Sequence, residues 1–178
     1  MQPIFLGFLD ELVKLSRPKV RLIGKWTSAE HALLKSILDL LPSVLVHENK
    51  NLRAIARAPK LTNGPPDAPG HSMYTPNHPS NGASRGVLVL FDKGVYDSSG
   101  TLDPVLMGKS VLHELSHSLN VDLPQIFGRP PYITAYASRD ASEDWAESFA
   151  EFFLHPKILR KRAPEKYRAI AKFVEDSR

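Results

Sequence analysis

An α+β fold, with one small mixed sheet and a mainly helical C-terminal half, is the architecture this sequence predicts. Three observations carry it. A capped helical pattern begins at residue 27, two short stretches of strand character follow at 51–59 and 86–91, and the later apolar patterns have helical spacing. The 178 residues suit one domain. Within it, residues 1–26 read as an N-terminal helical extension and 157–178 as a basic C-terminal helix.

Each element has a local reason. Residues 4–16 read as a short amphipathic helix. Their apolar run, Ile4 to Leu9, has no Lys or Arg before it and stops at Asp10-Glu11, unlike a secretory signal. A cytoplasmic location and export by another route both stay open. Thr27-Ser28-Ala29-Glu30 is a capping box, followed by Ala32, Leu33, Leu34, Ile37, Leu38, Leu40 and Leu41 at helical spacing until Pro42. From Asn51 to Pro59 the residues alternate with a period of two, which predicts a strand. Residues 60–85 hold five prolines and three glycines and read as one long loop. The continuous apolar run Gly86 to Phe91 predicts a strand buried on both faces or nearly so. Asp103 as N-cap with Pro104 at the first position opens a helix that should end near Asn120. After a Pro-rich connection, Asp140-Ala141-Ser142-Glu143 has the pattern of a second capping box, and the helix it opens should run up to Pro156. A last helix is expected from Pro164 to about Asp176.

Composition removes whole classes of function. Apolar residues make up 42% and charged residues 24%, as in folded globular chains. No apolar run approaches the roughly 20 residues of a helical membrane span, so none is expected. With no cysteine, disulfide scaffolds, zinc fingers, iron–sulfur clusters and cysteine nucleophiles are excluded together. A transition metal would have to be held by His, Asp or Glu, and there are seven histidines. The net charge of +4 is concentrated at the end, where residues 157–178 hold eight Lys/Arg against three Asp/Glu. That pattern reads first as a solvated helical tail, and second as a site for nucleic acid or a membrane surface.

The chemistry is carried by His113-Glu114-Leu115-Ser116-His117, an HExxH pattern in the second half of a helix whose two ends are both signposted. Residues i and i+4 share a helix face, so both imidazoles can reach one ion. Glu114 is turned about 100° from His113 and lies beside the ion. Leu112, Leu115 and Leu119 already form an apolar stripe, so two histidines on a largely buried segment cost free energy unless something satisfies them. Zinc sites of this type need a third protein ligand. A metzincin would place a histidine six residues after His117, where this chain has Leu123. The acidic helix downstream offers Glu143, Asp144, Glu147 and Glu151. Glu143 and Glu147 are one turn apart, and pointing both at a dication removes their mutual repulsion. On this reading Glu143 binds zinc and Glu147 accepts a hydrogen bond from the free N–H of a ligand histidine. Glu151 belongs to an ordinary charged face.

The stretch Tyr136-Ala137-Ser138-Arg139-Asp140-Ala141-Ser142-Glu143-Asp144-Trp145-Ala146-Glu147 resembles the second motif of the family of the anthrax lethal factor catalytic domain and the bacterial Pro-Pro endopeptidases. There, HExxH is followed by a tyrosine and, seven residues later, by the ligand glutamate in a Glu-x-x-Ala-Glu setting. Tyr136 to Glu143, and Glu143 to Glu147, keep both spacings. The similarity is strongest over residues 105–155 and has no counterpart for the first 26 residues or the basic tail. It implies a zincin-like fold and a zinc-dependent endopeptidase with one Zn2+ per chain on His113, His117 and Glu143. It further implies Glu114 as general base, Tyr136 as donor to the developing oxyanion, and an extended peptide substrate added to the edge strand at 86–91. Val87 and Val89 would then bind substrate by backbone hydrogen bonds. Tyr132, in the connection after the metal helix, is expected at the same cleft. A monomer acting on peptide, with no nucleic-acid partner and with a toxin or effector role, completes the expectation. The alternatives are a zinc-bound module without catalysis and a binder acting through the basic tail.

Of the other aromatic and histidine residues, Trp145 is expected in the core and His155 at a helix end. His31 and His47 are expected on the surface. His71 and His78 fall in the long loop.

Overall fold

Thr27 opens the first helix as its sequence requires. Its hydroxyl accepts the Glu30 N–H at 3.1 Å, and Glu30 Oε2 accepts the Thr27 N–H at 2.7 Å. In the computed structural model, residues 20–58, 72–75, 86–119 and 121–177 are described. They form β1 (Arg21–Ile23), α1 (Ser28–Leu38), α2 (Ser43–His47), β2 (Ala54–Arg57), β3 (Ser72–Thr75), β4 (Val87–Leu90), α3 (Pro104–Ser118), α4 (Ala141–Leu154), α5 (Pro156–Arg162) and α6 (Pro164–Asp176). The fold is mixed α and β, with one small sheet and a helical C-terminal half.

The sheet order is β1-β2-β4-β3. β1, β2 and β4 run parallel, and β3 pairs antiparallel with β4, Ser72 opposite Leu90 and Thr75 opposite Val87. Gly86, at φ +67°, lets the chain turn into β4 hard against the Asn51 carbonyl, where a Cβ would collide. Leu88 and Leu90 point into the core, while Val87 and Val89 are half-buried. The strand is therefore covered on one face only.

α3 lies between the sheet and α4, touching β3, β4 and α1 on one side and α4 along its length on the other. Ile55, Leu88 and Leu90 from the sheet meet Met107, Val111, Leu112 and Leu115 from α3, none with measurable exposure. Each such side chain contributes about 1.5–3 kcal/mol by leaving water. Beyond α3, Trp145 anchors an aromatic cluster. Phe127 and Phe173 meet it edge-on with ring centroids 5.2 and 5.4 Å away.

Four expectations are corrected. The N-terminal extension does not reach residue 26, because Arg21–Ile23 add a parallel edge strand to β2. Residues 1–19, including the helix expected at 4–16, lie outside the described residues, as do His71 and His78. The stretch 60–85 contains a strand, β3, so β4 is not the sheet edge. The basic end is two helices, α5 and α6, and not a solvated tail. Leu159, Ala163, Ile170 and Val174 are buried in it, and Tyr167 and Phe173 pack against Phe152 and Trp145.

Two buried ion pairs lock these layers. Glu30, 2% exposed, also accepts from Arg57 Nε at 2.8 Å and Tyr96 Oη at 3.0 Å, tying the start of α1 to the end of β2 and the turn after β4. Burial works to raise its pKa, but the hydrogen bonds from Thr27, Arg57 and Tyr96 outweigh it and hold the carboxyl below its usual range. Lys166, on α6, gives Nζ to Asp144 Oδ2 at 2.6 Å and to the carbonyls of Arg129 and Pro131 at 2.8 Å each. All three ammonium hydrogens are thereby used. Asp144 Oδ2 also accepts the Gly128 N–H at 2.8 Å.

Removing one partner of a buried pair strands the other charge. Lys166→Met should therefore cost about 3–5 kcal/mol in urea unfolding. Lys166→Met combined with Asp144→Leu should recover a large part of that loss, because no buried charge remains.

Candidate metal centre

α3 presents His113 and His117 one turn apart, and α4 presents Glu143 and Glu147 one turn apart on the opposing face. The first pair of helical turns meets the second. His113 Nε2 is 3.2 Å from His117 Nε2 and 3.1 Å from Glu143 Oε2, and His117 Nε2 is 3.5 Å from the same oxygen. The imidazole planes are inclined at 76°. Bonds of about 2.0–2.2 Å in a tetrahedral site separate ligand atoms by about 3.2–3.6 Å. The triangle seen here has that size. Glu143 Oε2 is buried and faces the two imidazole nitrogens, a place where a cation would meet its charge. His113, His117 and Glu143 can therefore hold a metal ion. Two imidazoles and a carboxylate are a donor set that zinc uses where a fourth position stays open.

The surrounding residues orient these three. Glu147 Oε1 is 3.1 Å from His113 Nδ1, as its spacing suggested, and Lys109 Nζ is 2.9 Å from Glu147 Oε2. Because an ionised carboxylate only accepts, His113 Nδ1 carries the hydrogen and Nε2 is the nitrogen left for a metal. Ser142 Oγ, which can donate or accept, is 3.1 Å from His117 Nδ1 and holds the second ring in place. The box at the start of α4 is only half formed. Asp140 Oδ1 accepts the Glu143 N–H at 2.9 Å, while the Glu143 carboxylate turns away to the imidazoles. The sequence pattern is the same as at Thr27, but a stronger electrostatic partner has taken the glutamate.

Burial acts to lower the pKa of His113, but the Glu143 and Glu147 carboxylates outweigh it and carry it up to about 9. The imidazoles beside Glu143 push its pKa far below the usual carboxylate range. Burial opposes the shift at Glu147, where His113, Thr134 and Lys109 nevertheless hold the pKa at about 2. A raised histidine pKa means that its ion pairs stabilise the metal-free fold fully below about pH 6.5 and lose that contribution as the pH rises through about 9.

Glu114 is 7% exposed, and its charge acts on both His113 and Tyr136. Tyr136 opens a 3-10 turn, Tyr136–Ser138, and its hydroxyl lies 3.5 Å from Glu143 Oε1. Its ring centroid is 6.0 Å from that of His113. The six residues His113, Glu114, His117, Tyr136, Glu143 and Glu147 thus come to one place.

Val87, Val89 and Tyr132 do not join them as expected. Both edges of β4 are already paired, with β2 and β3, so Val87 and Val89 have no free strand edge to offer. Tyr132 donates its hydroxyl to the Gly128 carbonyl at 2.9 Å, and its ring lies 4.9 Å from Lys166 Nζ, which makes it a brace of the connection. Glu151 pairs with His155 at 3.2 Å, Trp145 is buried, and His31 and His47 are exposed, as expected. Sequence reasoning missed Lys109, Thr134 and Ser142. Lys109 was detectable, since it stands four residues before His113 on the same helix face. No family model and no curated protein matches the chain.

The carboxylates beside His113 favour a proton on its ring, and a metal ion on Nε2 would compete with that proton. Calorimetry in buffers of different ionisation enthalpy should therefore record proton release as zinc binds at pH 7. Glu143→Ala should abolish stoichiometric binding, and undiminished binding by that variant would contradict the three-ligand site.

Proposed function

We propose that the chain is a zinc-dependent endopeptidase of zincin-like fold, similar in mechanism to the lethal factor and Pro-Pro endopeptidase family. One observation carries the reading. Two motifs 26 residues apart, His113–His117 and Glu143–Glu147, meet with three donor atoms 3.1–3.5 Å apart, and the acid and the phenol such chemistry needs, Glu114 and Tyr136, stand beside them. The small mixed sheet stacked on the metal-binding helix, with an antiparallel outer strand, supports the fold assignment.

Zinc in such a site supplies Lewis acidity that activates a water and polarises the scissile carbonyl. The chain's own residues do the rest. His113, His117 and Glu143 hold the ion. Glu147, with Lys109 behind it, keeps His113 in the tautomer that offers Nε2. Ser142 steadies His117. Glu114 takes the proton of the water and later delivers it to the leaving amine. Tyr136 donates its O–H to the oxygen on which charge develops. The substrate is a peptide in extended conformation. Since β4 is enclosed, the strand it adds to is β3, the outermost strand on that side, which packs against α3.

The test is a peptide-library digest read by mass spectrometry with zinc-loaded protein. Glu114→Gln should keep one zinc per chain and lose cleavage by about 10²–10⁴-fold, and Tyr136→Phe should lose about 10²–10³-fold in kcat. Cleavage by Glu114→Gln at the parent rate would falsify the mechanism. A zinc-bound parent that cleaves no peptide would leave the non-catalytic module as the better reading.

A further inference from the structure

Tyr136 is carried by a 3-10 turn, Tyr136–Ser138, capped by Arg139. Residues i and i+3 eclipse in a 3-10 turn, because it has three residues per turn. Tyr136 and Arg139 have that spacing, and the Arg139 N–H closes the turn on the Tyr136 carbonyl at 3.2 Å. Their side chains are stacked as a result, with the guanidinium carbon 4.9 Å from the centre of the phenol ring. On the cleft side the phenol hydroxyl donates to Glu143 Oε1 at 3.5 Å. From behind, Thr134 Oγ1 accepts the Ala137 N–H at 3.1 Å.

We propose that Arg139 is a positioning residue that acts through Tyr136. Stacked on the ring, it holds the phenol with its O–H toward the metal side of the cleft, and its positive charge beside the ring strengthens that O–H as a donor to developing negative charge. The inference rests on the peptidase reading and on Tyr136 acting as the oxyanion donor. A cation over an aromatic face holds the ring in place. It removes rotational freedom that a phenol 39% exposed would otherwise keep.

The experiment is a double-mutant cycle on the zinc-loaded full chain, with a peptide taken from the library digest as substrate. Arg139→Met should lower kcat about tenfold with KM within about twofold of the parent. In the Tyr136→Phe background the same change should cost less than about twofold, since the residue it acts through is gone. Arg139→Lys, which keeps the charge but not the planar fork, should recover part of the loss. Binding provides a readout apart from turnover. A phosphinic peptide of the same sequence, with a tetrahedral anionic group at the scissile position, should bind Arg139→Met about tenfold more weakly. Zinc affinity, measured by chelator competition, should be unchanged. Equal losses in the two backgrounds, a loss in KM alone, or undiminished phosphinic-peptide binding would each overturn the assignment while leaving the peptidase intact. A zinc-loaded parent that neither cleaves the library nor binds phosphinic peptides would overturn the peptidase reading itself, and the role of Arg139 with it.

Discussion

Three carboxylates, Glu114, Glu143 and Glu147, are packed between α3 and α4 with little access to water, and the site depends on how their charge is met. Burying ionised groups is costly by several kcal/mol each unless partners compensate. Glu147 has Lys109 and the His113 N–H. Glu143 has the two imidazole nitrogens. A dication would engage all three atoms of the triangle at once and meet the carboxylate charge more fully. The crowding of these acids is a strain on the fold that a metal ion would relieve.

That strain can be sustained only on a rigid frame. α4 carries acids on both sides: Glu143 and Glu147 face α3, and Asp144 faces α6. A slip of one residue along this helix would bring Asp144 or Ser142 to the imidazoles in place of Glu143, and would set Trp145 or Glu143 against Lys166. The Lys166–Asp144 pair opposes such a slip, because Asp144 is held at once by an ammonium and by the Gly128 N–H. On the other side of the molecule, Glu30, Arg57 and Tyr96 fasten α1 to the sheet on which α3 rests. Neither cluster touches the site, yet each fixes an element that does.

How much of this was legible in the sequence follows the range of the interaction concerned. The caps at Thr27, Asp103 and Asp140 involve neighbours three residues apart and stand where local chemistry puts them. The pairing of His113 with His117, and of Glu143 with Glu147, follows from helical periodicity alone. β1 and β3 were illegible because three or four residues of strand carry too little periodicity to see, and their pairing is settled by distant chain. With β3 unseen, β4 looked like an edge, and Val87 and Val89 were given a role that the real topology denies them. The basic tail misled for a related reason. Its charge is conspicuous, whereas its apolar face, Leu159, Ala163, Ile170 and Val174, is sparse and crosses a helix break at Ala163. Lys166 counted as one more surface cation, although it is 2% exposed and part of the frame.

The connection from His117 to Tyr136 shows why these misreadings matter for function. Loops that open and close over a site must be weakly held, with few buried bonds to break. This one is held at several points. Lys166 takes two of its carbonyls, Asp144 takes the Gly128 N–H, Tyr132 folds back on Gly128, and Thr134 Oγ1 takes the Ala137 N–H. Two of those anchors are charged and buried, so releasing the connection would leave both of them short of hydrogen-bond partners. Tyr136 is therefore delivered to the site by a braced segment and not by a lid. Electrostatic stabilisation is most effective when the donor is already in place and needs no reorganisation as charge develops. In this chain that preorganisation is supplied from α6, by the basic end whose charge in the sequence suggested only a surface.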